Sequence, residues 1–161
     1  MSISYWVNFA WSAPYGEIAE LLVSELGFDP YAPENDGSSS HPSIVRLLSD
    51  YFQISLSRSS ADWREMIRDD VGAEVCTDLV FTINDEFTTQ GEGGRALTRV
   101  VGLLLQRVKG DVVFLFEGEK VLLLRDASGT RIDPVAGFWN ARNQETLASY
   151  VDFTEGPLPS L

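Results

Sequence analysis

Cysteine and histidine are almost missing from this chain, and positive charge is scarce. The 161 residues include one Cys, Cys76, and one His, His41. A lone Cys excludes an internal disulfide and agrees with a reducing compartment. One His with no second His or Cys beside it cannot build an imidazole–thiolate metal cluster. His41 could act as a general base with a Ser and an acid, but no Gly-x-Ser-x-Gly nucleophile turn accompanies it. No cofactor motif is present, so no catalytic, metal or cofactor residue is assigned. No apolar run approaches the roughly 18 residues of a membrane span. The opening Met1–Ala10 has no basic segment and alternates in polarity, unlike a signal peptide. A cytoplasmic location is the simplest expectation.

Lys and Arg number 12 against 24 Asp and Glu, a formal charge of −12. Such a surface repels nucleic-acid phosphates and anionic lipid headgroups, so neither is expected as a partner. It speeds encounter with a cationic protein, in a salt-sensitive way. Ordinary solubility is the other reading of the same charge. The imbalance is steepest in residues 1–50, with seven acids and a single base, Arg46. Apolar residues make up 44% of the chain and aromatics 11%, which marks a globular sequence. The length fits one domain spanning residues 1–161.

Polarity patterns divide the chain into elements. Ser2–Trp11 alternates, with Ile3, Tyr5, Val7, Phe9 and Trp11 on one face, and reads as a half-buried strand. Ser12-Ala-Pro14 opens a helix whose stripe is Ile18, Leu21, Leu22 and Leu26, with Gly27 as its C-cap. Residues 29–43 are rich in Pro, Gly, Ser, Asn and Asp and read as the longest loop. Leu48–Leu56 alternates as a second strand. Ser60 caps a short helix with Trp63, Met66 and Ile67 inward. Val75–Ile83 is a third strand, and Arg95–Val108 is a helix with a wide apolar stripe. Val112–Phe116 and Val121–Arg125 form a hairpin about Glu117-Gly-Glu-Lys, followed by a short strand at Arg131–Asp133 and a short helix near Gln144–Tyr150. The expected fold is α+β: a single largely antiparallel sheet with helices packed on one face, in the order β-α-β-α-β-α-β-β-β.

Four motifs bear on chemistry. Gly91-Glu-Gly-Gly-Arg precedes a helix, where phosphates bind, but it lacks the P-loop ending and the dinucleotide spacing, and Glu92 would repel an anion. A flexible loop fits better. Asp111 with Glu117, Glu119 and Lys120 resembles a nuclease acid cluster, yet Gly118 stands where a metal-binding carboxylate is needed, and a solvated turn is the plainer reading. Asp69, Asp70, Glu74, Asp78, Asp85 and Glu86 form an acid-rich stretch, either a solvated face or a surface for a basic partner. No twelve-residue calcium loop runs through it. Trp139 either caps the core or anchors an interface.

The segment from about residue 75 to residue 140 carries further information. It contains the strand Val80-Phe-Thr-Ile-Asn-Asp, then Gly102-Leu-Leu-Leu, Gly110-Asp-Val-Val-Phe-Leu-Phe-Glu-Gly-Glu, Val121-Leu-Leu-Leu-Arg and Gly137-Phe-Trp. In this order they resemble the immunity proteins of the bacterial swarm-inhibition (Sit-type) toxin–immunity systems. The resemblance implies an intracellular, non-enzymatic protein that binds and neutralises a cognate toxin. The matching residues look like scaffold, so no binding residue is carried over from the family. The chain's own charge suggests a basic toxin, with contacts from Glu34, Asp36, Asp69, Asp70, Asp85 and Glu86 around a few apolar anchors. The alternative is a small structural or adaptor domain that self-associates through edge strands and Trp139.

Overall fold

A computed structural model describes residues 3–11, 15–30 and 44–161. Its strands are β1 (Ser4–Phe9), β2 (Asp29–Pro30), β3 (Ile44–Leu48), β4 (Phe52–Arg58), β5 (Thr77–Ile83), β6 (Val112–Phe116), β7 (Lys120–Asp126), β8 (Gly129–Ile132) and β9 (Thr154–Glu155). The helices are α1 (Tyr15–Leu26), α2 (Ala61–Val71), α3 (Glu92–Arg107) and α4 (Ala141–Ala148), with a 3-10 turn at Pro134–Ala136. All nine strands join one sheet in the order β2-β3-β4-β5-β1-β6-β7-β8-β9. Among the described residues only the β8–β9 pair is parallel. The α+β class and the largely antiparallel sheet are therefore as the patterning implied.

β1 sits in the middle, hydrogen-bonded to β5 on one side and β6 on the other. Its alternation decides which residues enter the larger core. Tyr5, Val7 and Phe9 lie level with Phe81, Leu79 and Thr77 of β5 and with Phe116, Phe114 and Val112 of β6. α1, α3 and α4 cover this face. Ile18 and Leu22 from α1, Leu97, Val100, Val101 and Leu104 from α3, and Leu147 from α4 all join one cluster with the strand residues. Tyr5 lies among Phe87, Phe114, Phe116 and Phe138 with ring centroids 5.2–5.8 Å apart. Burial, helped by Glu117, pushes its phenol up to about 12, so it stays neutral.

One helix departs from the expected one-sided packing: α2 covers the opposite face. There Ile67, Ala73, Val75, Val113, Leu115, Val121 and Leu124 form a second buried cluster, flanked by Trp6, Trp63, Val71, Leu158 and Leu161. The cause lies in β6 and β7. Residues 112–115 and 121–124 are apolar at every position and buried at every position. Strands apolar on both faces require cover on both. α2 is well delimited for that task. Ser60 accepts the Trp63 N–H at its start, and Gly72, at φ 80°, closes its end.

The stretch expected to be one strand over Leu48–Leu56 starts at the last residue of β3, bends where Ser49 Oγ accepts from the N–H groups of Tyr51 and Phe52, and runs on as β4, antiparallel to β3. A polar side chain bonding its own backbone ended the alternation there. The β6–β7 turn places Glu117 at φ 55° and Gly118 at φ 70°. Three residues connect the strands, and the Glu119 N–H closes a turn on the Phe116 carbonyl whose two central residues are both left-handed, as in a type I′ turn.

Helix α3 is tied at both ends. Beyond its C-terminus the Arg125 guanidinium donates to the carbonyls of Leu105, Val108 and Gly110 at 2.6–2.9 Å. At its N-terminus a Cβ on Gly94 would stand 2.2 Å from the Thr89 carbonyl oxygen. Gly94→Ala is therefore expected to cost about 1–3 kcal/mol through overpacking. Gly16→Ala on α1, where a Cβ would meet nothing within 4 Å, is expected to be neutral or stabilising by about 0.5 kcal/mol. Urea-unfolding midpoints of the two variants test the contrast, and equal midpoints would contradict it.

Candidate functional site

The glycine-rich entry to α3 is packed shut. Gly94 N–H donates to the Thr88 carbonyl, and Glu92 pairs with Arg142 at 3.1 Å. The Asn140 and Asn143 amides both donate to the Thr89 carbonyl. Gly93 and Gly94 are buried, because Phe87 and Thr89 lie where side chains would go. The glycines allow close approach of loop and helix; a flexible loop is not what forms, and the helix N-terminus holds no open phosphate cradle.

The suspected nuclease cluster is spread along β6. Asp111 precedes the strand and accepts the Glu74 N–H at 2.8 Å. Glu117 follows it and accepts the Ser4 N–H at 3.1 Å. Five strand residues lie between them, so their backbones stand roughly 20 Å apart. Trp139 is 3% exposed and donates through its indole N–H to the Leu122 carbonyl at 2.7 Å. It belongs to the core, so the interface role considered for it is not open to it. Cys76 is half-buried, and its thiol exchanges hydrogen bonds with the Trp11 backbone.

The acidic residues divide by position. Glu34, Asp36 and His41 lie outside the described residues. Asp69 and Asp70 occupy the last turn of α2, before β5. Asp85 and Glu86 are exposed in the turn after β5, where Glu86 N–H donates to Asn84 Oδ1. The seven residues of β5 stand between the two pairs in the chain. What gathers around Asp69 and Asp70 is the rest of the outer face of α2. Asp62, Glu65, Met66, Asp69 and Asp70 line one shallow surface depression. All five are exposed, and Met66 is 38% exposed. Spacings of three and four residues put them on one side of a helix, opposite buried Ile67. That spacing is present in the sequence, but Met66, expected on the inner face with Trp63 and Ile67, points outward instead.

A second polar group lies on the same side of the sheet. Asn8, Asp78 and Ser57 are level across β1, β5 and β4. Asp78 Oδ1 accepts from Asn8 Nδ2 and from Ser59 Oγ, each at 2.5 Å. Asn8 is 0% exposed and Ser59 4%, while Asp78 is half-buried. Burial raises the Asp78 carboxyl above its ordinary value, and the hydrogen bonds from Ser59 and Asn8 oppose that rise.

Two further depressions, of about 330 and 410 Å³, adjoin at Leu26, Phe28 and Ala96. Neither is lined by His or Cys among the described residues. No three His, Cys, Asp or Glu side chains among the described residues gather as a metal site. No described helix is long and apolar enough to cross a membrane.

Comparison with known proteins gives one match. A family model described as SitI3-like matches residues 3–143. The match takes in β1 and α1 as well as the stretch from residue 75 that carries the resemblance. No curated protein and no solved structure matches the chain.

The Asp78 environment generates a pH prediction. Its folded value lies above its unfolded value of about 3.9, so folding favours the protonated form. That contribution is complete below the unfolded value and is lost as pH rises through the folded one. Asp78→Asn keeps an acceptor for Asn8 and Ser59 and removes the charge. The variant is expected to unfold at a higher urea concentration than wild type at neutral pH, with the gap closing toward pH 3. A variant less stable at neutral pH would contradict this placement of the carboxyl.

Proposed function

Because the chain belongs to the SitI3-like family, we propose that it is an immunity protein that neutralises a cognate antibacterial toxin by docking on it. The family match carries the reading, and the site geometry supports it. Inhibition in this reading proceeds by binding, with no bond made or broken. The toxin is basic, and the two meet in the cytoplasm.

The outer face of α2 is the docking edge. Its carboxylates give long-range attraction and orientation, and Met66 gives an apolar contact among them. A rigid sheet beneath holds the helix in place through Trp63 and Ile67. The toxin surface covered is its active or substrate-binding surface, where a nucleic-acid-cleaving or phosphate-binding domain concentrates its positive charge.

Coexpression with the toxin encoded beside its gene tests the reading: cells carrying the chain survive, and the two proteins copurify. A folded chain that neither binds nor protects would overturn it. The docking edge has its own readout. Replacing Asp62, Glu65, Asp69 and Asp70 together by Asn and Gln is expected to slow association about tenfold or more at low salt, with the dissociation rate changing far less. An unchanged association rate would place the contact elsewhere.

A further inference from the structure

The roof that α2 places on the second face of the sheet is partial. Over the middle of β1 and β6 the roof is closed, with Asn8, Val113 and Leu115 0% exposed, while Trp6 nearer the start of β1 is half-buried. Over β4 and β5 the same face remains partly open. Gln53, Ser55 and Ser57 of β4 and Val80 of β5 are half-buried, and Thr82 is exposed, while the alternate residues Phe52, Ile54 and Leu56 are at most 1% exposed. Asp78 stands at the boundary between roofed and open sheet, one strand from buried Asn8.

The geometry there is that of a carboxylate fixed and left half-used. Oδ1 receives both available donors, Asn8 Nδ2 and Ser59 Oγ, and these hold the side chain in one orientation. Among the described residues no group donates to Oδ2, and that oxygen keeps contact with solvent. No Lys or Arg pairs with Asp78 among the described residues, although five other ion pairs form. A half-buried anion without a counter-charge is costly to keep in a sheet, where Asn would fill the same space. The residues beside Asp78 on this face, Ser55 and Ser57 of β4 and Val80 of β5, are short and half-buried, and Arg46 of β3 stands level with Ser55.

We infer that Asp78 is the seat for a Lys or Arg side chain of the toxin, which approaches over the open face of β4–β5 and donates to Oδ2. This rests on the toxin-docking reading and adds to it the site that holds the complex once α2 has steered it in. The two sites divide the work by burial. Exposed acids on α2 act mainly on association, whereas a desolvated, hydrogen-bonded pair at Asp78 acts on dissociation.

Titration calorimetry and dissociation kinetics with the purified toxin domain encoded beside the gene test the assignment. Wild type, Asp78→Asn, Ser55→Arg and the fourfold α2 variant are compared, each first shown folded by its urea midpoint. Asp78→Asn is expected to bind at least about thirtyfold more weakly, through faster dissociation, although it is no less stable alone. Ser55→Arg, which puts a cation and bulk on the open face, is expected to weaken binding as well. Asp78→Asn or Ser55→Arg binding within about twofold of wild type would overturn the assignment and leave the docking reading intact. A folded wild-type chain that binds no toxin would remove both.

Discussion

The structure depends on two strands that have no polar side to show. Val112–Leu115 of β6 and Val121–Leu124 of β7 are buried residue by residue, so the sheet around them must be covered twice. The main core, built on Tyr5, Phe81, Phe114 and α3, meets one half of that demand. α2 and the Leu158–Leu161 segment meet the other. Because α2 has a narrow apolar face, with Ile67 its one buried residue, it covers the middle of the sheet and stops short of β4 and β5. The partial roof therefore follows from the arithmetic of apolar faces: wide demand at β6–β7, small supply from α2.

That unevenness produces the surface on which the functional reading turns. A full roof would hide Asp78 and leave α2 a plain solvated helix. No roof would expose Val113 and Leu115. The observed compromise leaves an acidic helix beside an open strip of short polar residues, with one oriented carboxylate at their junction. The rest of the fold holds this arrangement still. Arg125 fixes the end of α3, Asn140 and Asn143 fix its start, and the two-residue strands β2 and β9 end the sheet on short edges, which discourages edge-to-edge association.

Much of this was legible in the sequence where a pattern is local. The period-two runs in β1, β4 and β5, the helical stripe of α3, the Ser60 cap and the Glu117–Gly118 turn each carry their own signal. The second-face position of α2 was readable too, from unbroken apolar runs at 112–116 and 121–124, which mark strands buried on both sides rather than one. The Ser49 bend was not, because a hydroxyl bonding its own backbone leaves no periodic trace. Asp78 was visible only as one acid among six. Its pairing with Asn8 and Ser59 joins residues 70 and 19 positions away, and no spacing rule reaches across strands in that way. The glycines at 91–94 look alike in sequence whether a loop flexes or packs; only the facing Thr89 and Asn143 distinguish the cases.

Carboxylate footprinting gives the most direct measurement of the central claim, that this chain works by docking its acidic second face on a toxin. Carbodiimide labelling of the chain alone and bound to the toxin, read by mass spectrometry, reports each acid separately. The account predicts that Asp62, Glu65, Asp69, Asp70 and Asp78 lose reactivity in the complex while the exposed Glu145 and Glu155 keep theirs. Unchanged labelling on α2 and β5, with protection centred on α4 and β9 instead, would contradict it.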